Sequence, residues 1–143
     1  MRNKPFKLLI LCTGNSCRSQ MAEAFFRRYF PDWEICSAGT EPAPQVHPFM
    51  VEVMREKGYD MSAHRPKSVA QYLNESFDAV LTVCDEAKES CPVFKGKVKY
   101  RLHHGFYDPA LADGTFEERI KVFRRVRDEI EAYVKGFELR KFL

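Results

Sequence analysis

Short runs of apolar residues alternate along this chain with longer segments in which apolar residues recur at helical spacing. The apolar runs predict four β-strands, at Phe6–Leu11, Glu34–Ser37, Ala79–Val83 and Val98–Leu102. The periodic segments predict helices at Arg18–Tyr29, at Pro48–Lys57, over a short stretch after Ser68, and after Thr115. Such alternation is typical of a parallel sheet wrapped by helices. We therefore expect a single three-layer α/β domain over residues 1–143, with a four-stranded parallel sheet flanked by helices on both faces.

Two helix ends are marked clearly. Gly58 is expected to end the second helix in a left-handed conformation. Thr115 and Glu118 have the spacing of a capping box, which predicts the start of the last helix. In that helix, apolar residues at helical spacing are expected to face the core, namely Phe116, Ile120, Phe123, Ile130, Val134 and Phe137. The charged residues between positions 124 and 129 are expected to form its solvated face.

The most informative chemistry lies where the first strand meets the first helix. The residues there are Cys12, Thr13, Gly14, Asn15, Ser16, Cys17, Arg18 and Ser19. Loop amides and the positive end of a helix can bind a tetrahedral oxyanion, and a guanidinium group can chelate two of its oxygens. A positive field of this kind favours a thiolate, which makes Cys12 a candidate nucleophile. A buried structural cysteine is the alternative, whereas a zinc site shared with Cys17 would lack the ligand spacing of a zinc cluster.

Two residues of this loop have further expected roles. Gly14 is expected to supply unusual backbone dihedral angles, and Ser19 is expected to form a hydrogen bond with the Cys12 thiolate. The loop is therefore predicted to be an oxyanion site with a cysteine nucleophile.

Net charge, the length of the apolar runs and the number of cysteines exclude several classes of function. The formal net charge is +3 with both signs interspersed, so neither a nucleic-acid-binding stripe nor an acidic tail is indicated. No apolar run has the length of a signal-peptide core or a membrane span, and we expect a cytoplasmic protein without membrane contact. In a reducing compartment, five cysteines are better explained as reactive thiols than as structural disulfides.

Cys84 and Cys91 form a second candidate site. Cys84 follows the third predicted strand, and because the carboxyl ends of parallel strands meet at one edge of a sheet, it is expected near Cys12. If the residues between the two cysteines form a short helix, the pair lies about 10 Å apart along its axis, whereas a disulfide needs Cα atoms within about 7 Å. The pair would then be a redox switch that requires this helix to unwind. Two buried apolar cysteines are the alternative.

At these residues the chain resembles the low-molecular-weight tyrosine phosphatase superfamily, and within it the thioredoxin-coupled arsenate reductases. The resemblance extends from the Cys12 loop through Ser37-Ala38-Gly39-Thr40 and Cys84 to Cys91, and on to Gly105-Phe106-Tyr107-Asp108-Pro109. The loop is typical of the superfamily, and the two later cysteines are typical of the reductases.

The resemblance implies reduction of arsenate to arsenite without an organic cofactor. Cys12 would attack arsenate held by the loop and Arg18, and Asp108 would protonate the departing oxygen. Cys84 would then form a disulfide with Cys12 and release arsenite, and Cys91 would take over that disulfide for reduction by thioredoxin. Arsenate or a similar oxyanion and thioredoxin are the implied partners, and the protein is expected to be a monomer.

A phosphotyrosine phosphatase and a non-catalytic oxyanion sensor or binding relic are the alternative functions. Phosphatases of this superfamily surround the substrate ring with aromatic residues, whereas this chain has Ala110-Leu111 after the acid and Thr40-Glu41-Pro42 after the second strand. A site without aromatic walls favours a small inorganic oxyanion, unless Phe106 or Tyr107 supplies the wall. The intact nucleophile, arginine and acid argue against a relic.

A departure from the family concerns metal binding. Several relatives bind potassium beside the anion loop through residues resembling Asn15, Glu23 and Ser37, with an aspartate shortly after the residue that corresponds to His64. Lys67 stands at the aspartate position here. Its ammonium group would supply the positive charge internally, so no metal is expected; a solvated surface lysine is the alternative.

The remaining candidates are expected to have minor roles. His104 is a possible neighbour of Asp108, and His103 is expected at the surface. Trp33 and Cys36 are expected to be structural, while oxidation could join Cys17 to Cys12 protectively.

Overall fold

The computed structural model describes residues 4–85 and 91–138. Its strands are β1 (Lys7–Cys12), β2 (Glu34–Gly39), β3 (Ser76–Thr82) and β4 (Lys97–His103). Its α-helices are α1 (Arg18–Tyr29), α2 (Pro48–Arg55) and α3 (Phe116–Lys135), with 3-10 helices at Val69–Tyr72 and Pro109–Leu111. The predicted strands and helices are confirmed, although the third strand begins earlier than expected and the second helix ends two residues sooner.

The four strands form one parallel sheet in the order β2-β1-β3-β4. Consecutive strands β1 and β2 lie side by side, whereas the chain then crosses over β1 to place β3 on its other side. Connections that leave neighbouring strands toward opposite sides open a crevice at the carboxyl ends of those strands. Cys12 ends β1 and Cys84 follows β3, so both cysteines lie at this edge of the sheet.

Residues of β1 alternate between two hydrophobic clusters. Leu8 and Ile10 pack into a cluster that includes residues of all three α-helices. Leu9 and Leu11 pack into a second cluster with Phe94, against which the first 3-10 helix lies. Successive side chains of a strand point to opposite faces, so β1 is buried on both. The parallel sheet with helical segments on both faces is therefore as expected, with the α-helices on one face and a 3-10 helix on the other.

The ends of the helices follow the sequence signals. Gly58 has a φ of +87°, as expected for the left-handed residue after α2. The Thr115 hydroxyl accepts a hydrogen bond from the Glu118 amide, and the Glu118 carboxylate accepts one from the Thr115 amide. Both bonds of the predicted capping box are therefore present at the start of α3.

Two residues of α3 differ from their predicted environment. Phe116 remains 53% exposed, because it lies in the first turn and its ring meets the edge of Phe49 rather than the core. Arg127, predicted on the solvated face, is buried and donates hydrogen bonds to the Val53 carbonyl and to the Glu56 carboxylate. A run of charges along a helix does not reveal which member a neighbouring helix covers. Within the described part of the chain, no helix combines the length and apolar character needed to cross a bilayer.

Candidate active site

The Cys12 thiol lies at the base of the loop that joins β1 to α1. Cys12 is a free cysteine and is 2% exposed. Its Sγ lies 2.9 Å from the Ser19 hydroxyl and accepts a hydrogen bond from the Asn15 amide at 3.2 Å. These two polar contacts at one sulfur are suited to stabilise a thiolate, and the first is the contact predicted for Ser19.

The loop carbonyls point away from Cys12. The carbonyl oxygens of Thr13, Gly14 and Ser16 accept hydrogen bonds, each 2.9 Å long, from the amides of Glu41, Ala43 and His47 respectively. In a trans peptide the carbonyl and the following N–H point in opposite directions, and none of the described peptide bonds is cis. The amides of Gly14, Asn15 and Cys17 are therefore turned toward the concave side of the loop, where Cys12 lies. This arrangement forms an anion-binding nest at the N-terminus of α1.

Asn15 carries the unusual backbone conformation of the loop. Its φ is +51°, whereas Gly14 does not have a positive φ, so the prediction for Gly14 was wrong. Asparagine tolerates the left-handed region better than most residues, and here its fully buried side chain holds it there. The side-chain Nδ2 of Asn15 donates to the hydroxyls of Ser19 at 2.7 Å and Ser37 at 3.0 Å. Its side-chain Oδ1 accepts a hydrogen bond from the Lys67 backbone amide at 2.9 Å.

Gly39 lies so close to the anion loop that a residue with a Cβ atom would collide with the loop backbone. It ends β2 beside Cys12, and an added Cβ would lie 2.3 Å from the Thr13 carbonyl oxygen and 3.1 Å from the Asn15 nitrogen. Both neighbours are backbone atoms of the anion loop, so they cannot move aside like a flexible side chain. The sequence resemblance includes Gly39, but only the packing reveals its steric role.

The guanidinium group of Arg18 lies close to the predicted acid. Arg18 is 4% exposed and donates a hydrogen bond from Nη1 to the Phe106 carbonyl at 3.2 Å. Its Nη2 lies 3.6 Å from Asp108 Oδ2, while Asp108 Oδ1 accepts a hydrogen bond from the Ala110 amide. The fold therefore brings together the cysteine loop, the arginine and the carboxylate that are far apart in sequence.

Cys17, the second thiol of the loop, is not suited to be a nucleophile. It immediately precedes α1 and is buried. Burial raises the pKa of the Cys17 thiol well above its usual value, and the negative charge of Asp108 adds to the effect. Cys17 therefore remains protonated at neutral pH.

Phe106 and Tyr107, the two aromatic residues considered for a substrate wall, both have contacts with other side chains. Phe106 is 5% exposed and packs against His104 and Tyr133, with ring centroids 4.7 and 5.9 Å apart. Tyr107 is half-buried, and the guanidinium carbon of Arg125 lies 5.6 Å from its ring centroid. The His104 ring packs against the rings of Phe106 and Tyr133.

Cys84 and Cys91 are joined by a disulfide, with Cα atoms 5.7 Å apart. They are thus closer than the separation expected across a helix, whereas the expected helix itself falls on positions 86–90, outside the described residues. The Val83 amide donates to the Leu11 carbonyl at 3.0 Å, and the Phe106 amide donates to the Val83 carbonyl. The segment that enters the disulfide therefore runs beside the end of β1 and is linked through Phe106 to Arg18.

The Lys67 ammonium group lies beside Glu23, where an internal positive charge was predicted. The Ser37 hydroxyl donates to Glu23 Oε1 at 2.6 Å, and Lys67 Nζ lies 3.8 Å from the same oxygen. Glu23 is only 2% exposed, so its charge needs a cationic partner. Arg27, which the sequence did not single out, supplies a second one at 3.0 Å from Oε2.

Trp33 and Cys36 each pack against one of the two hydrophobic clusters. Trp33 stacks on Phe30 with ring centroids 4.2 Å apart and contacts Phe6 and Phe137 in the same aromatic cluster. Cys36 packs at the margin of the second hydrophobic cluster, and burial raises the pKa of its thiol.

Comparisons with known proteins agree with this geometry. Residues 7–141 match the family model for low molecular weight phosphotyrosine protein phosphatase. An arsenate reductase of Halalkalibacterium halodurans is 47% identical over 131 residues, which cover 91% of this chain and 93% of the relative. The crystal structure of an arsenate reductase from Archaeoglobus fulgidus is 33% identical, with a TM-score of 0.70 over 90% of this chain and 95% of the other. A thioredoxin-dependent arsenate reductase of Corynebacterium glutamicum is 25% identical, with a TM-score of 0.58 over 94% of this chain and 64% of the other. The chain belongs to the low molecular weight phosphotyrosine protein phosphatase family.

Proposed function

We propose that the protein is an arsenate reductase that forms and transfers a disulfide through Cys12, Cys84 and Cys91. The observation that carries this proposal is the Cys84–Cys91 disulfide beside the anion loop, in a chain whose Cys12 is free. A phosphatase of this architecture hydrolyses its cysteine adduct with water. It therefore needs no thiols besides the nucleophilic cysteine. The relatives named arsenate reductase support the same assignment.

In the first step the oxyanion binds in the loop formed by residues 13–19. The amides of the loop and the Arg18 guanidinium hold three oxygens, and the Cys12 thiolate attacks the arsenic atom. An oxygen leaves as Asp108 supplies its proton. The product is a covalent adduct with arsenic bonded to Cys12 Sγ.

In the second step arsenic is reduced. The Cys84 thiolate attacks Cys12 Sγ, the sulfur–arsenic bond breaks, and its electron pair leaves with arsenic as arsenite. Cys91 then attacks Cys84 Sγ, which frees Cys12 and forms the Cys84–Cys91 disulfide. In total, arsenate and two thiols give arsenite, one disulfide and water, so arsenic gains the two electrons that the thiols lose.

We propose thioredoxin as the reductant that returns the pair to thiols. Cys91 is half-buried and is the more accessible of the two sulfur-bearing residues, which suits attack by an external dithiol. The cytoplasm, where such a reductant operates, is the proposed location, and a monomer is the proposed state.

The decisive assay follows NADPH oxidation in the presence of thioredoxin and thioredoxin reductase. Arsenate should sustain it and phosphate should not, because phosphate cannot accept electrons under these conditions. Cys84→Ser should abolish arsenate reduction while sparing weak hydrolysis of an aryl phosphate, whereas Cys12→Ser should abolish both. Cys91→Ser should permit a single turnover and accumulate a Cys12–Cys84 disulfide, and Cys36→Ser serves as the matched control.

The phosphatase assignment remains the second candidate because the family model carries that activity in its description. Efficient hydrolysis of aryl phosphates without arsenate-dependent NADPH oxidation would establish it in place of ours. Normal cycling by the Cys91→Ser protein would likewise contradict the three-cysteine relay.

A further inference from the structure

Gln20, in the first turn of α1, is a fully buried polar residue to which the relay assigns no role. Its Nε2 donates hydrogen bonds to the Asn15 backbone carbonyl at 3.1 Å, to Asn15 Oδ1 at 3.2 Å and to the Arg65 carbonyl at 3.0 Å. Its Oε1 lies 3.0 Å from His64 Nδ1. The carboxamide of Gln20 therefore joins the anion loop to the segment around Arg65.

These contacts allow one orientation of the Gln20 carboxamide. Carbonyl oxygens accept hydrogen bonds and cannot donate them, so the NH2 group must face the two Asn15 oxygens and the Arg65 oxygen. Oε1 then faces His64, whose Nδ1 must carry the hydrogen. A glutamate of the same shape would place an acceptor against three acceptors. The site is therefore built for a glutamine.

The bond from Gln20 completes the set of loop carbonyls that are held from outside the nest. Backbone amides of the segment after β2 bind the carbonyls of Thr13, Gly14 and Ser16, whereas a side chain binds the carbonyl of Asn15. By the same trans-peptide geometry, this bond turns the Ser16 amide toward the concave side of the loop. Asn15 has a φ of +51°, which is unfavourable for a residue with a Cβ, so its peptide needs support from outside the loop.

We propose that Gln20 is a positioning residue of the anion loop, which directs the Ser16 amide at the bound oxyanion. Gln20 acts through the Asn15 peptide and is not itself a ligand of the oxyanion. Without its NH2 group the Asn15 carbonyl would lose this donor, and rotation of the peptide would withdraw one N–H group from the nest. The inference rests on the oxyanion binding of the proposed function and is independent of the cysteine relay.

The test compares Gln20→Glu and Gln20→Met in the reduced full chain. Glutamate keeps the shape and replaces the donor by an acceptor, whereas methionine has a similar length and forms no such hydrogen bonds. Calorimetric titration with inorganic phosphate should give an affinity at least about tenfold below that of the wild type in both variants, as expected for a lost hydrogen bond to an anion. Gln71→Glu, at an exposed position of the first 3-10 helix, is the matched control for the added charge and should bind like the wild type.

A second readout separates positioning from a general loss of stability. Iodoacetate is an anion and iodoacetamide is neutral, so the ratio of the rates at which they alkylate Cys12 reports the positive potential of the nest. A less stable fold would expose Cys12 to both reagents alike. Displacement of the Ser16 amide should instead lower the iodoacetate-to-iodoacetamide ratio, as read by the mass of the Cys12 peptide.

The outcomes distinguish this proposal from the proposed function. If the wild type binds phosphate and Gln20→Met matches it in phosphate affinity and in the alkylation ratio, the positioning role is overturned, even if the melting temperature of the variant falls. If the wild type itself binds no phosphate, the oxyanion site fails, and the role of Gln20 fails with it. Should the buried charge of Gln20→Glu prevent folding, Gln20→Met alone decides the result.

Discussion

Replacing Gly39 by alanine should damage the anion loop although Gly39 lies outside it. The new Cβ would stand 2.3 Å from the Thr13 carbonyl oxygen, and real Cβ atoms essentially never approach within 3.0 Å. The strand and the loop must therefore separate by at least about 0.7 Å. The Thr13 carbonyl oxygen also accepts a hydrogen bond from the Glu41 amide, and this movement would strain that bond.

The expected loss follows from the cost of overpacking. Inserting a methyl group into a closely packed site typically costs about 1–3 kcal/mol. For a chain of this length, about 1 kcal/mol lowers the melting temperature by roughly 3–4 °C, so we expect Gly39→Ala to melt roughly 3–12 °C below the wild type. Thermal unfolding of the reduced protein measures this, and the rate at which iodoacetamide alkylates Cys12 should change in parallel because the Asn15 amide is displaced.

Gly14→Ala is the matched control inside the loop. An added Cβ there meets nothing closer than the Ser16 hydroxyl at 3.6 Å, an ordinary contact. Its melting temperature should therefore stay close to that of the wild type. If Gly39→Ala melts like the wild type, or if Gly14→Ala loses more stability, the steric reasoning is refuted.

Three further predictions concern charged residues. Asp108→Asn should slow aryl phosphate hydrolysis by about 10²- to 10⁴-fold, because the leaving oxygen loses its proton donor, while calorimetry should find phosphate binding retained; an unchanged rate would exclude Asp108 as the acid. If Lys67 supplies the internal charge, wild-type activity and melting temperature should be equal in potassium and sodium chloride at equal ionic strength, whereas Lys67→Met should become potassium-sensitive. A clear response of the wild type to potassium would contradict this. A hydrogen bond from Arg124, and a weaker effect of the one from Arg127, hold the pKa of Glu56 below its ordinary 4.5. The ionised Glu56 carboxylate therefore stabilises the folded protein fully above that pH. This stabilisation is lost as the pH falls through the pKa that Glu56 has in the folded state. The difference in unfolding free energy between wild type and Glu56→Gln should accordingly be largest at neutral pH and shrink in acid, and a pH-independent difference would speak against the ion pairs.

The local elements were predictable because each rests on signals within a few residues. The capping box at Thr115 and the left-handed Gly58 are examples, since both are determined by short-range hydrogen bonding. Arg127 and Phe116 show the limit. Their burial depends on where α2 and the preceding loop come to lie, and an amphipathic pattern does not contain that information.

The candidate active site was likewise predictable only in part. The motif predicted Cys12, its contact with Ser19 and the oxyanion loop, because these residues are adjacent in sequence. It did not predict that Asn15 would take the positive φ, since that depends on hydrogen bonds with Ser37 and Lys67 from distant segments.

The hydrogen bonds that hold the loop carbonyls have a consequence for how this protein can change over evolution. Their donors are the backbone amides of Glu41, Ala43 and His47, while prolines, which have no amide hydrogen, occupy positions 42, 44 and 48. Selection at the three donor positions therefore acts on the main chain: almost any side chain is compatible with the bond, but proline is not. It also means that the eight-residue motif is not a portable module, since grafting it onto another scaffold would leave behind the segment that keeps its amides turned inward.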